Sequence, residues 1–192
     1  MQQSINMKYL RIFGGLIFFI LLVTTGLSFL MATSQKAEHS IVINTPASVI
    51  YNQLIKLENF NKFSIWNRED SSVVYTMTGT DGTIGAASSW KGDPFISGEG
   101  RIEITALQPN RKLVHQLHFT EPKKMNAESV FVLEEKTKTS TEVTWTFTMA
   151  TPRPWNIFNL FYSMDKEKGK DFEEGLATLK KMIEASAPST AN

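Results

Sequence analysis

From Ile12 to Gln35 the chain carries no charged side chain, and nearly every residue from Ile12 to Ala32 is apolar. Twenty residues of α-helix rise about 30 Å, the thickness of a bilayer's hydrocarbon core. Nothing like this stretch recurs downstream. The sequence therefore predicts one transmembrane helix over residues 12–32, behind a cytoplasmic N-terminus of residues 1–11, with a separate domain after it. A cleaved signal peptide is the competing reading, because Ala32-Thr33-Ser34 is a small-x-small site. A signal peptide's apolar region usually runs about 7–15 residues, and this one is longer, which favours a retained single-pass anchor. Lys8, Arg11 and the terminal amine outweigh Lys36 and Glu38 on the other flank. The positive-inside bias then places the domain on the extracytoplasmic side. Gly14, Gly15 and Gly26 make no G-x-x-x-G pairing pattern.

The chain beyond the apolar stretch is large enough for one domain with its own core. Setting aside Lys8 and Arg11, 18 basic residues face 19 acidic ones, a net charge of −1. Such a balance gives no electrostatic footprint for nucleic acid. The chain has no cysteine, which excludes a disulfide framework and any thiolate nucleophile or ligand.

Residues 33–38 read as a polar linker, residues 39–185 as the domain and residues 186–192 as a disordered tail. His39–Ile43 alternates as a first strand. Thr45-Pro46 reads as a helix N-cap followed by proline at the first helical position. Val49, Ile50, Leu54 and Leu57 then recur at helical spacing, and Phe60, Phe63 and Trp66 suggest a second short helix. From Val73 the period changes to two. Strands are expected at Val73–Thr80, Gly85–Lys91, Gly98–Leu107, from Leu113 to Phe119, Ala127–Glu134 and Glu142–Ala150. In the fourth strand of the domain, Ile102, Ile104 and Ala106 share a face. Short turns between them, including the glycines of Gly79-x-x-Gly82-x-x-Gly85, predict an antiparallel meander with one wet face. Pro152 and Pro154 end the sheet, and a long helical region is expected from about Trp155 to Ala185, with Phe172, Leu176, Leu179 and Ile183 on one stripe. The pattern is α+β: a curved antiparallel sheet of about seven strands around a long C-terminal helix, with a hollow between them.

Ile43-Asn44-Thr45-Pro46-Ala47-Ser48-Val49-Ile50-Tyr51 resembles the opening I-x-A-P-x-x-V-W of the START / Bet v 1-like (SRPBCC) superfamily, in its polyketide cyclase/dehydrase and lipid-transport branch. Residues 60–66 resemble that branch's W-x-x-W-x-x-W segment, with phenylalanine at two of the tryptophan positions. Gly82–Trp90 resembles its G-x-G-A-x-Y-x-W strand. Asp171-Phe172-Glu173-Glu174-Gly175-Leu176-Ala177-Thr178-Leu179-Lys180 is similar to its final-helix pattern D-F-x-x-G-L-x-N-L-K. The resemblance covers residues 39–184 and implies the helix-grip (Bet v 1-like) fold and a hydrophobic cavity. It implies no single activity, because one fold hosts many.

Parity and helical spacing place Trp90, Ile102, Ile104, Leu113, His115, Leu117, Phe131, Leu133, Trp145, Phe147, Phe172 and Leu176 around that hollow as expected ligand-binding residues. His115 is the one inward histidine. No acidic residue shares its face to orient it as a general base, so three roles stay open: a core histidine, a ligand contact, a catalytic group. His118 reads as solvated and His39 as lying at the domain edge. The three histidines lack metal-site spacing, and neither a metal nor a cofactor is expected. Asp165 shares the helix face of Phe172, as a cap, a kink or a polar group in the cavity wall. Gly169 and Gly175 flank the apolar stripe, either for close packing or to leave room for a ligand. Trp155, Phe158, Phe161 and Tyr162 suit ordinary core, a cavity mouth or the membrane interface. The expected function is a membrane-tethered module holding a hydrophobic small molecule or lipid. A cyclase- or hydratase-type enzyme and an interaction domain without ligand are the alternatives.

Overall fold

The computed structural model describes residues 7–64 and 70–186. The expected position of Trp66 and the two chain ends lie outside these residues. The chain divides into two compact units, one of residues 1–35 and 151–163, the other of residues 36–150 and 164–192.

The first unit is built on α1, Met7–Leu30, a 24-residue helix long and apolar enough to cross a membrane. It begins five residues before the apolar run, because Lys8 and Arg11 are good helix formers and extend it. It is about 36 Å long at the standard rise. Almost all of its side chains are exposed, Ser28 being the buried one. Residues Trp155–Leu160 of the same unit form a 3-10 helix.

The second unit carries β1 (Ser34–Ile43, entering from the first unit), α2 (Ala47–Leu54), α3 (Leu57–Phe63), β2 (Val74–Thr78), β3 (Ala87–Lys91), β4 (Glu99–Gln108), β5 (Lys112–Glu121), β6 (Met125–Thr137), β7 (Ser140–Ala150) and α4 (Met164–Ser186). The seven strands form one sheet in the order β1-β7-β6-β5-β4-β3-β2. From β2 to β7 each strand pairs antiparallel with the next. Tight turns make this meander. At Gly79, Gly82 and Gly85 the backbone takes φ of 79°, 87° and 86°, a region that L side chains avoid, so these glycines serve the turn between β2 and β3.

Several expectations shift. β1 begins at Ser34, so the expected linker of residues 33–38 is mostly strand. Helix α2 begins at Ala47, with Pro46 at the cap and no side-chain cap bond, so Thr45 lies one position too early to cap it. The Thr45 hydroxyl is buried without a partner. In β4 a bulge between Ile104 and Ala106 turns Ala106 outward and brings Leu107 against the core. The long helical region is broken: the 3-10 helix ends at Leu160 and α4 starts at Met164.

The core lies between the sheet's inner face and the helices α2, α3 and α4. Ile43, Leu54, Leu57, Phe63, Ile104, Leu113, Phe131, Trp145 and Leu179 have no measurable exposure. Burial of apolar area at roughly 25 cal/mol per Å² is the main force holding these layers together.

Candidate functional site

The expected hollow is largely filled with rings. Trp145 stacks on Phe131 at 5.0 Å between centroids and meets Phe172 edge-on at 4.8 Å. Phe63 packs edge-on against both Phe131 and Trp145, at 6.0 and 5.9 Å. Phe147 adds a tilted contact to Phe172 at 5.6 Å. Gly175 closes the gap from the helix side, since a Cβ there would lie 3.0 Å from the Trp145 ring. Of its two readings, close packing is the one observed. The indole N–H of Trp145 donates to Ser129 Oγ at 2.8 Å, so its polar atom is satisfied inside the core.

Trp145, Phe131, Phe147, Phe172, Leu176, Leu133, Leu113 and Ile104 are therefore brought together, but as interlocked core. Three of the expected residues, Trp90, Ile102 and Leu117, line an open space. It lies at the α3 end of the sheet, shared with Phe60, Asn61, Ser64, Tyr75, Ser97 and Phe119, and its volume is about 30 Å³. Ligand sites usually measure about 300–1,000 Å³. As it stands this pocket has room for about one water molecule.

Its walls combine apolar rings with placed polar groups. Trp90 packs edge-on against Phe119 at 5.3 Å and donates its N–H to the Ser97 carbonyl at 3.1 Å. Asn61 Nδ2 donates to Ser88 Oγ at 3.1 Å. Burial, aided by the Asp70 charge, pushes the Tyr75 hydroxyl up to about 12, so it stays protonated as a donor. Asp70 organises the rim. Its carboxylate accepts from Ser72 and Ser97 hydroxyls, from Asp93 N at 2.8 Å and from Ser72 N at 2.8 Å. Hydrogen bonds from Ser72, Ser97 and Asp93 hold its pKa far below the usual carboxylate range.

His115 sits one ring away. It is fully buried, and neither ring nitrogen has a hydrogen-bond partner. Phe60 meets it edge-on at 5.3 Å, and Phe131 does so at 6.2 Å. Ser129, opposite it in register on β6, accepts from Trp145. Desolvation pushes the His115 pKa down to about 3, so the ring is neutral at ordinary pH. Phe60 lines the pocket and also covers the imidazole.

Sequence alone did not assign Phe60, Asn61, Ser64, Tyr75, Ser97 and Phe119 to the site. Phe119 and Tyr75 were legible in principle, since each shares the inward parity of its strand. Asn61, Ser64 and Ser97 carry no periodic signal. His39 is more connected than its edge position suggested. Its Nε2 lies 3.0 Å from Asp165 Oδ1 and its Nδ1 3.4 Å from Glu173 Oε1, with the ring stacked over Phe172 at 6.3 Å. Asp165 thus bridges α4 to β1 rather than lining a cavity. A Cβ at Gly169 would come 3.1 Å from His39, the packing reading again. His118 is solvated and hydrogen-bonds Asn126 Oδ1 at 2.8 Å. Among the described residues no group of three or more His, Asp and Glu side chains could hold a metal ion.

No protein-family model and no curated protein matches the sequence. Solved structures do match by shape. Norcoclaurine synthase from Thalictrum flavum, in complex with dopamine and hydroxybenzaldehyde, superposes with a TM-score of 0.60 at 9% identity, covering 85% of this chain and 94% of that one. A structural-genomics protein from Nitrosospira multiformis gives 0.52 at 15% identity, covering 77% and 95%. Another, from Chromobacterium violaceum, gives 0.52 at 13%, covering 78% and 98%. The fold is the Bet v 1-like helix-grip fold. At these identities the likeness concerns fold alone. Within the helix-grip domain, the seven-stranded curved sheet and long C-terminal helix are as the alternation and the final apolar stripe predicted.

Proposed function

We propose that this chain is a membrane-tethered helix-grip module that takes a hydrophobic small molecule or lipid at the α3 end of its sheet. The domain would belong to the START / Bet v 1-like lineage that its motifs resemble, in the polyketide cyclase/dehydrase and lipid-transport branch. The observation that carries the reading is His115: a fully buried imidazole with two unpaired nitrogens, separated from an apolar pocket by the ring of Phe60. An unsatisfied buried polar group costs about 1–3 kcal/mol. A ligand with one polar end relieves that cost when Phe60 swings aside and the pocket deepens to the imidazole. Trp90, Ile102, Leu117 and Phe119 supply the apolar wall, and Asn61, Ser64 and Tyr75 the polar contacts near the mouth. A neutral ring with so low a pKa suits hydrogen bonding better than general-base work near neutral pH. The anchor is α1, whose length and composition suit a bilayer.

The small volume of the resting pocket favours a second reading, an interaction domain with a filled core. One experiment separates them. The full-length protein and His115→Leu are purified from membranes in detergent, and their organic extracts are compared by mass spectrometry. A compound enriched at near-stoichiometric level with the wild type and depleted with His115→Leu supports the binding module. Identical extracts containing only bulk lipid support the filled core.

A further inference from the structure

Residues 151–163 share a compact unit with α1, and their side chains fall into two sets. The polar set is turned to the end of the helix. Asn156 has no exposed surface. Its Nδ2 donates to the Ser28 carbonyl at 2.8 Å and to the Met31 carbonyl at 3.2 Å, and its Oδ1 accepts from Ser28 Oγ. Asn159 Nδ2 donates to the Ala32 carbonyl at 3.2 Å, and Arg153 Nε to the Ser28 carbonyl at 3.2 Å. The Arg153 guanidinium lies 5.1 Å over the Phe29 ring. Backbone bonds extend the attachment: Thr151 N donates to Thr33 O at 2.9 Å. The last carbonyls of a helix have no partner within it, and Ser28 O in the last turn of α1 receives two of these donors, while Met31 O and Ala32 O just beyond the helix end receive one each.

The apolar set is displayed. Trp155 is 55% exposed, Phe158 57%, Leu160 60%, Phe161 87% and Tyr162 40%. Large apolar side chains clustered in one exposed segment mark a contact surface. The company they keep says with what. They are fixed, through a fully buried asparagine, to the last turn of a helix whose length matches a bilayer, where the hydrocarbon gives way to headgroups. Tryptophan and tyrosine favour that boundary, and the Arg153 guanidinium over Phe29 sets a cation beside them.

We propose that residues 155–162 seat in the headgroup–acyl boundary of the bilayer leaflet at the C-terminal end of α1, a second lipid contact locked to the span by Asn156. This rests on the reading of α1 as a membrane anchor.

The chain has no cysteine, so single substitutions each take one nitroxide label. Full-length Phe158→Cys, Phe161→Cys, Leu16→Cys and Thr139→Cys are labelled and reconstituted into phosphatidylcholine vesicles. Leu16 is a mid-span control, and Thr139, in an exposed charged hairpin turn, is an aqueous one. Accessibility to oxygen and to a water-soluble nickel chelate is then read by power saturation. The expected result is oxygen accessibility severalfold above nickel accessibility at 158 and 161, on the side of Leu16 and opposite to Thr139. Labels at 158 and 161 that behave like Thr139 while Leu16 reads as lipid overturn the proposal and leave the anchor standing. Labels at 158 and 161 shielded from both reagents mean a protein contact and also overturn it. An aqueous Leu16 label removes the anchor reading and the proposal with it.

Discussion

His115 faces the core from β5 between Leu113 and Leu117, where alternation alone places it. Parity gives the side of a strand, and that much was readable. What became of the space in front of the ring was not, because filling depends on how Phe60, Phe63, Phe131, Trp145 and Phe172 interlock across four elements. No spacing along one strand encodes that. The imidazole's isolation has a measurable pH signature. Its pKa is depressed from 6.5 to about 3 in the folded chain. Above 6.5 both states are neutral and the group contributes no slope. As pH falls from 6.5 toward 3 the unfolded state takes a proton that the folded state refuses, and stability drops by up to about 1.4 kcal/mol per pH unit. His115→Leu keeps a similar volume and removes the orphaned nitrogens. Its stability at pH 7 should match or exceed that of the wild type, and its melting temperature should fall less between pH 6.5 and 4. Thermal unfolding of both proteins across that range checks this, with the difference between them isolating the histidine from Asp70 and the other carboxylates.

Strands and their order were the most legible elements, since period two, glycine turns and prolines each report local geometry. The errors are where an element bends. The bulge at Thr105 moves Ala106 out and Leu107 in, and a single inserted residue leaves no mark in composition. The break between Leu160 and Met164 was hidden because residues 155–160 carry helical spacing while Asn156 and Asn159 bind carbonyls of the first unit. The junction of β3 and β4 illustrates how register sets a tolerance. Trp90 stands opposite Gly100, and its ring covers the space a side chain would occupy. A Cβ at Gly100 would collide with Trp90 Cζ2 and lie 2.7 Å from the His118 carbonyl. The indole is also held by its bond to Ser97 O, so it cannot step aside cheaply. Gly100→Ala should cost on the order of 1–3 kcal/mol, the range for overpacking a filled site. Chemical denaturation gives the number, and quenching or shift of tryptophan emission reports the displaced ring. A neutral result would mean that the rim of the pocket is looser than its geometry indicates.

At the scale of the whole chain, charge and hydropathy decide where the parts reside. The helix-grip unit is nearly neutral, so no strong field pulls it to an anionic surface or to nucleic acid. Its location depends on α1 and on the flanking charges. Lys8 and Arg11 lie before the apolar run, while Lys36 pairs with Glu38 at 2.7 Å on the far side and adds little net positive charge there. On the proposed reading of α1 as an anchor, that asymmetry would orient the span with its N-terminus in the cytoplasm. Lys124 is exposed in the turn between β5 and β6, and Lys138 in the turn between β6 and β7, which gives trypsin two sites in the folded domain. Right-side-out membrane vesicles treated with trypsin should therefore lose the full-length band, and inverted vesicles should protect the domain until detergent is added. On the anchor reading of α1, the untreated band should carry the full mass of the chain. Protection in the right-side-out vesicles instead would reverse the orientation, and a shortened untreated band would identify the helix as a cleaved leader.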